Sequence, residues 1–447
     1  MPMMVPVSGA AASWIGETQA YGQQKVYRFR VPAGLTSIEV RLKNRVGNPS
    51  MTLRQDAAGS GLIPTPIYAT YRADEGGRSQ IGYNDTLITL AQPVAGDYTV
   101  VVSNQSIWVN GVGTTYPDAG YDLEVTALEY IDLAFTNSSL QINNQEANTW
   151  RYFKYTVPAD ALGWDLRLKT SGGTPRMMVR RDLFPSAFGT NNGSMTYRSD
   201  WPTGSQWEAG GDWTGRNYIT YSSVPDKSKY LVMGIGNPLE PGTYFVGVSG
   251  ADVMSYTLES RGIGIGSDSS PTPILWPIQV GDIASFSGGS AGGSGLAPRE
   301  AAYYRLTVPA GTASWSVKLD ATLGESLLLL RHGRIPNIAA ASYDSDSLSY
   351  FSGAKRHKSG AEYFYKYQPA SGATTITPGV YYLAVVSEGQ NPFNASTIGT
   401  GGVDYTLTSE GTVPINDKTG TPVTAIAPVS WIGETQAYGQ QKVYRFR

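Results

Sequence analysis

Two histidines, His332 and His357, and no cysteine make up the sparse acid–base and nucleophilic complement of this 447-residue chain. A Ser-His-Asp triad needs a histidine set by a buried carboxylate, with a nucleophile in reach. His332 follows Arg331 and His357 sits in the basic run Lys355–Lys358, and neither has a counterpart elsewhere in the chain. Solvated positions are expected for both, and no catalytic residue is assigned. Gly288-Gly-Ser290-Ala-Gly292 formally matches the Gly-x-Ser-x-Gly nucleophile elbow. That elbow works only where a strand turns into a helix, whereas this match stands in a glycine/serine tract. Without cysteine, thiolate catalysis, disulfides and cysteine-based zinc or iron–sulfur centres are excluded.

The acids give a more specific signal. Asp74, Asp200 and Asp346 each close a Tyr-x-Ala/Ser-Asp motif, and Asp344 stands two residues before the last of them. These four carboxylates offer oxygen ligands of the kind calcium takes, and calcium is the one cofactor the residues suggest. No spaced ligand set accompanies them, so the expectation is a turn aspartate bonding its own backbone. Arg54, Arg180 and Arg331 each end a short apolar run. They could contact a surface anion or saccharide, but packing on tyrosine or pairing with a carboxylate better explains a recurrence in every copy. Trp108, Trp201, Trp207 and Trp213 fall in expected loops. There they either stack on sugars, anchor contacts between modules or cover the core.

Composition bounds the partners. Charged residues make up 16% of the chain and the formal net charge is −2, so no basic field for nucleic acid or anionic lipid exists. No apolar run is long enough to span a bilayer. Met1–Ala12 lacks the charged start of a signal peptide, and any export signal is expected outside this chain. The 52 glycines, 27 prolines and 29 tyrosines suit short strands joined by many turns.

The elements that must carry these residues repeat at two periods. Ser13–Arg30, SWIGETQAYGQQKVYRFR, recurs unchanged 417 residues on at Ser430–Arg447. Inside that long unit, Val31-Pro32-Ala33, Val157-Pro158-Ala159 and Val308-Pro309-Ala310 each end an alternating segment. In each copy apolar residues stand six, eight and ten positions beyond the proline: Ile38/Val40/Leu42, Trp164/Leu166/Leu168 and Trp315/Val317/Leu319. Each copy later carries a Gly-x-Tyr strand start at Tyr98, Tyr244 and Tyr381, and closes on Tyr-x-Leu at Tyr121, Tyr256 and Tyr405. Period-two alternation marks strands with one buried face, proline cannot donate to a sheet ladder, and glycine supplies the turn. No amphipathic helix is evident. The expected fold is all-β: three tandem jelly-roll or β-sandwich modules plus the first strand region of a fourth.

This series of motifs resembles the bacterial pre-peptidase C-terminal domain family over most of each of the three segments. The resemblance implies an exported jelly-roll sandwich. Members of that family sit beside secreted proteases or are strung together in large surface proteins, and some related domains bind collagen or calcium. No protease domain accompanies the modules in this chain. The expected modules are residues 13–130, 131–267 and 268–411, with 412–429 as a linker and 430–447 opening the next repeat. The glycine/serine stretch Ser287–Gly295 is expected as a flexible loop.

Function is expected to follow from repetition. The leading reading is a non-enzymatic structural repeat of a large extracellular or cell-surface bacterial protein, with other copies or neighbouring repeats as partners. Fibre or sheath assembly would proceed through end-to-end contacts or through strand exchange by Val443, Tyr444, Arg445, Phe446 and Arg447. The alternative is an adhesion module for polysaccharide or a matrix protein.

Overall fold

The computed structural model describes residues 3–5, 11–56, 78–80, 86–91, 93–104, 107–109, 113–115, 117–147, 149–182, 207–208, 229–235, 238–250, 252–266, 277–337, 348, 353–356, 360–368, 372–390, 400–420 and 429–447. Strands account for 64% and no helix is present among the described residues, so the chain is all-β.

Among the described residues six of the eight sheets form three pairs, and the other two are two-stranded. In each pair the leading sheet opens with a short strand set parallel to the second. The first leading sheet runs Met3–Met4, Gln24–Val31, Gly96–Asn104, Pro49–Asp56, Arg78–Gln80 in spatial order, and its trailing sheet runs Ala11–Gln19, Ala119–Leu128, Ser37–Val46, Thr86–Ala91. The second pair sets Tyr130–Asp132, Arg151–Val157, Gly242–Ser249, Arg176–Arg181, Trp207–Glu208 against Asn137–Gln145, Met254–Ile263, Gly163–Gly172, Lys229–Ile235, Pro238–Leu239. The third sets Val280–Asp282, Ala301–Val308, Gly379–Gly389, Glu325–His332, Ala354–Arg356 against Gly289–Leu296, Val403–Gly411, Ser314–Leu323, Glu362–Tyr367. Each pair closes on its own core drawn from both sheets, which is β-sandwich packing.

The Val-Pro-Ala steps end their strands as proline requires: Gln24–Val31, Arg151–Val157 and Ala301–Val308 all stop at the valine. The residues six, eight and ten beyond the proline are all buried core. Where that first position is tryptophan, a serine answers it. Trp164 Nε1 donates to Ser260 Oγ at 2.8 Å and Trp315 Nε1 donates to Ser409 Oγ at 2.9 Å. Each serine in turn donates to a backbone carbonyl, Phe135 O or Phe286 O. In the first pair the tryptophan is replaced by Ile38 and the matching serine by Val125, both fully buried. A buried indole N–H must find an acceptor, and an isoleucine brings no such demand.

The Gly-x-Tyr starts also have a shared geometry. Gly96, Gly242 and Gly379 sit at φ of 146°, 143° and 123°, a region open to glycine and not to L side chains. The tyrosine two residues on then bonds back across the turn: Tyr98 Oη donates to Val94 O, Tyr381 Oη donates to Thr377 O, and Tyr244 Oη accepts from Glu240 N.

Two stretches differ from their sequence-based expectation. The glycine/serine tract is no flexible loop, because Gly289–Leu296 pairs antiparallel with Val403–Gly411. Ladder bonds come from the backbone and need no side chains, and close contact here excludes them. A Cβ on Gly292 would lie 2.8 Å from Tyr405 O. Ser290 of the apparent elbow therefore stands within a strand. Residues 412–429, expected as a linker, contain the strand Ile415–Asp417, which pairs parallel with Val443–Arg445. A strand of three residues is too short to give a periodic signal.

Candidate assembly interfaces

The trailing sheet of one pair meets the leading sheet of the next, and the meeting surfaces are built from the outward residues of strands whose inward residues form the cores. At the first junction Glu39 and Arg41 point out of Ser37–Val46. Arg41 Nη2 donates to Ala147 O at 2.8 Å, and the Trp150 backbone N–H donates to the Glu39 carboxylate. Trp150 stacks on Tyr152 at 5.8 Å, and Leu128 and Tyr130 pack against them and Phe245.

Burial pushes the Glu39 carboxyl up to about 7, against the opposing pull of Arg41, the Trp150 N–H and Lys43. The folded state therefore binds a proton that the unfolded chain has released between the ordinary carboxylate value and about pH 7. Stability is fully present below the lower value and falls as pH rises through the folded one. The loss is on the order of 3 kcal/mol. Denaturant midpoints should drop between pH 5 and pH 8, and Glu39→Gln should flatten that dependence. A Glu39→Gln chain with an unaltered pH profile would contradict the assignment.

The second junction is a charged cluster over an apolar floor. Arg167 Nε and Nη2 donate to Asp165 Oδ1 and Oδ2 at 2.7 and 2.9 Å, while its Nη1 reaches Glu300 Oε1 of the third pair at 2.9 Å. Arg261 Nη2 completes the ring with Asp165 Oδ2 at 3.0 Å and Glu300 Oε2 at 2.8 Å. Burial opposes ionisation of Asp165, but Arg167 and Arg261 outweigh it and hold the carboxyl below its usual range. Beneath lie Ile263, Leu162 and Ile278 against Tyr303, Leu329 and Tyr382.

The third junction receives the repeated segment. Tyr363, Tyr365 and Tyr367 project from the edge strand Glu362–Tyr367 as a ladder of near-parallel rings, 6.4 and 6.3 Å apart. Gln441 N–H donates to Tyr365 Oη at 2.9 Å, and Tyr367 Oη donates to Gln441 Oε1 at 2.8 Å. Val413, buried, donates its N–H to Ser314 Oγ at 3.1 Å.

Register makes the three junctions comparable. Tyr152, Tyr303 and Val443 each lie opposite the first residue of the short parallel strand, at Tyr130, Val280 and Ile415. Two residues further, Lys154–Asp132, Arg305–Asp282 and Arg445–Asp417 form the same ion pair. Sequence reading missed these acids, because their distance from the Val-Pro step varies between copies. It also missed Gln19 and Gln145, whose side-chain amides donate to Val102 O and Val248 O at 3.0 Å and accept from Tyr121 and Tyr256. Here a signal was available: Gln19, Gln145 and Gln436 all stand eight residues before an aromatic, Tyr27, Phe153 and Tyr444.

The two copies of the 18-residue segment share their local structure. Gln23 N donates to Ala20 O at 3.0 Å, as Gln440 N does to Ala437 O. Lys25 pairs with Glu17 as Lys442 pairs with Glu434, and Trp14 meets Tyr27 at 5.1 Å as Trp431 meets Tyr444 at 4.9 Å. Their burial differs. Phe29 is fully buried, while Phe446 is 63% exposed. In the first pair the parallel register is shifted, with Met3 opposite Phe29, and Arg28 and Arg30 turn to Asp97.

Of the other candidates, Asp74, Asp200, Asp344, Asp346, Trp201, Trp213 and His357 lie outside the described residues. Trp108 and Trp207 fall on the short strands Ile107–Val109 and Trp207–Glu208. Among the described residues no group of three or more histidines and carboxylates is placed to hold a metal ion. His332 Nε2 lies 3.2 Å from Pro378 O, its ring against Tyr381. Arg180 and Arg331 are buried and Arg54 is half-buried. Burial, with Arg334 nearby, pulls the Arg331 guanidinium down to about 10.

No family model and no curated protein matches the chain. Among solved structures it is similar to tripeptidyl peptidase 2 at 8% identity and a TM-score of 0.19, covering 91% of this chain and 24% of that one. The sheet pairs define the class without it: an all-β protein of β-sandwich architecture. Among the described residues no helix is long and apolar enough to cross a membrane.

Proposed function

We propose that this chain is a non-enzymatic structural segment of a large extracellular or cell-surface protein, in which β-sandwich modules stack trailing sheet to leading sheet into an array. The recurrent junction carries this reading. One surface of each sheet pair meets one surface of the next, twice with buried side chains, and a third time with a segment that repeats the opening of the first module. Heterologous contacts of this kind propagate into open filaments wherever the rotation does not close them into a ring, and tandem modules that touch only their neighbours build elongated stacks. The resemblance of the Val-Pro-Ala and Gly-x-Tyr motifs to pre-peptidase C-terminal domains supports a surface setting.

The test is a tandem chain in which residues 31–447 are fused after Arg447, so that the second unit follows in register. Small-angle scattering should give a rod of unchanged cross-section and nearly doubled length. Scattering from beads on a flexible string would overturn the stacked array.

A further inference from the structure

We propose that the outward edge of the first leading sheet, centred on Gln24 and Val26, docks on the Tyr363–Tyr365–Tyr367 ladder of a second copy of this chain. The inference rests on the stacked-array reading and names its partner surfaces.

Three observations converge on it. First, the outward position of the second leading-sheet strand is covered wherever another sheet pair precedes it. Tyr152 and Tyr303 are each 1% exposed, whereas the matching Val26 is 50% exposed. The strand Gln24–Val31 buries its inward residues Tyr27, Phe29 and Val31 and leaves Gln24, Val26 and Arg28 open. Second, the molecule holds a template for the missing contact. Gln441 and Val443 are the repeats of Gln24 and Val26. Gln441 makes two hydrogen bonds to the ladder, and Val443 is half-buried beside Ile415. Third, the backbone N–H involved is the same one in two junctions. Trp150 N–H meets Glu39 in the first, and Gln441 N–H meets Tyr365 in the third. Gln24 occupies that position in the first sheet pair, and its side chain is exposed.

Within one chain the ladder is held by its own residues 430–447. That segment has no core of its own: Tyr444 is 37% and Phe446 63% exposed, against 7% and 0% for Tyr27 and Phe29. A second copy would bring the same 18 residues already backed by a complete sandwich, with no ordering of the segment left to perform.

Sedimentation velocity of the full chain tests this over a range of concentrations. Gln441→Arg evicts the intramolecular segment while leaving Gln24 intact, and it should tighten head-to-tail association by about tenfold. Adding Val26→Arg or Tyr367→Ala to that chain should weaken it by a similar factor. Because the chain has no cysteine, single cysteines placed by Gln24→Cys and Tyr367→Cys in separate Gln441→Arg chains should be joined into a heterodimer by a short bis-maleimide crosslinker on mixing. Gln441→Arg chains that stay monomeric, or that associate regardless of Val26→Arg, would overturn the docking face. If they do so while the tandem chain scatters as a rod, only this inference fails. A flexible tandem chain would remove the array itself.

Discussion

Replacing Trp164 by alanine should lower the stability of the second sheet pair by about 3–5 kcal/mol, through lost transfer energy and the cavity left behind. Trp164 is fully buried, with ring centroids 5.2 Å from Tyr155, 5.6 Å from Phe135 and 5.9 Å from Tyr244. Trp164 stands on the trailing sheet and Tyr155 and Tyr244 on the leading one, so the loss falls on the packing between them. The change also strips Ser260 Oγ of its indole donor. The first pair offers a natural repair, since Ile38 and Val125 fill the corresponding positions. Trp164→Ile with Ser260→Val should therefore lose less than the sum of the two single changes, because apolar partners replace a buried polar pair together. Unfolding of a chain with several cores is not a single transition, so differential scanning calorimetry is the suitable measurement. An early separate transition is expected for Trp164→Ala. An unchanged thermogram would show that Trp164 does not carry the core.

Asp165→Ala should be comparably severe, about 3–5 kcal/mol, for a different reason. Asp165 is fully buried between Arg167, 2% exposed, and Arg261. Removing the carboxylate takes from two guanidiniums one of the two carboxylates they share, and an uncompensated buried charge is far costlier than a missing pair. The effect should concentrate at the second junction and appear as loosened stacking in scattering as well as in calorimetry. Its pH dependence runs opposite to that of Glu39. The Asp165 carboxyl is held low, so its stabilisation is present above the ordinary aspartate value and is lost as pH falls through the depressed one. Acid should open the second junction and mild alkali the first. A junction indifferent to Asp165→Ala would mean that the four charges do not bind the pairs together.

Much of the fold was legible because it is local. Alternation placed Ile38, Trp164 and Trp315 inside, and the proline and glycine positions marked strand ends, since each reflects a backbone constraint of its own residue. The glycine tract Gly289–Leu296 was misread for the converse reason: its strand is made by the partner Val403–Gly411 and leaves no trace in its own side chains. The junctions were not legible either. Glu39, Asp165 and Ser316 occupy one position with three chemistries, and which of them becomes a buried charge depends on the module stacked above it.

The repeated segment separates the two kinds of information most cleanly. Its 18 residues by themselves determine a turn, an ion pair and an aromatic contact, and these are the same at 13–30 and 430–447. Only the tertiary structure decides the rest. Ala11–Gln19 is a strand because Ala119–Leu128 lies beside it, and Gln24–Val31 is one because Gly96–Asn104 does. At the second copy, among the described residues, Val443–Arg445 alone is a strand, and it pairs with Ile415–Asp417. A strand's hydrogen bonds and its buried face both belong to its neighbours, so one sequence is core in one place and open surface in the other.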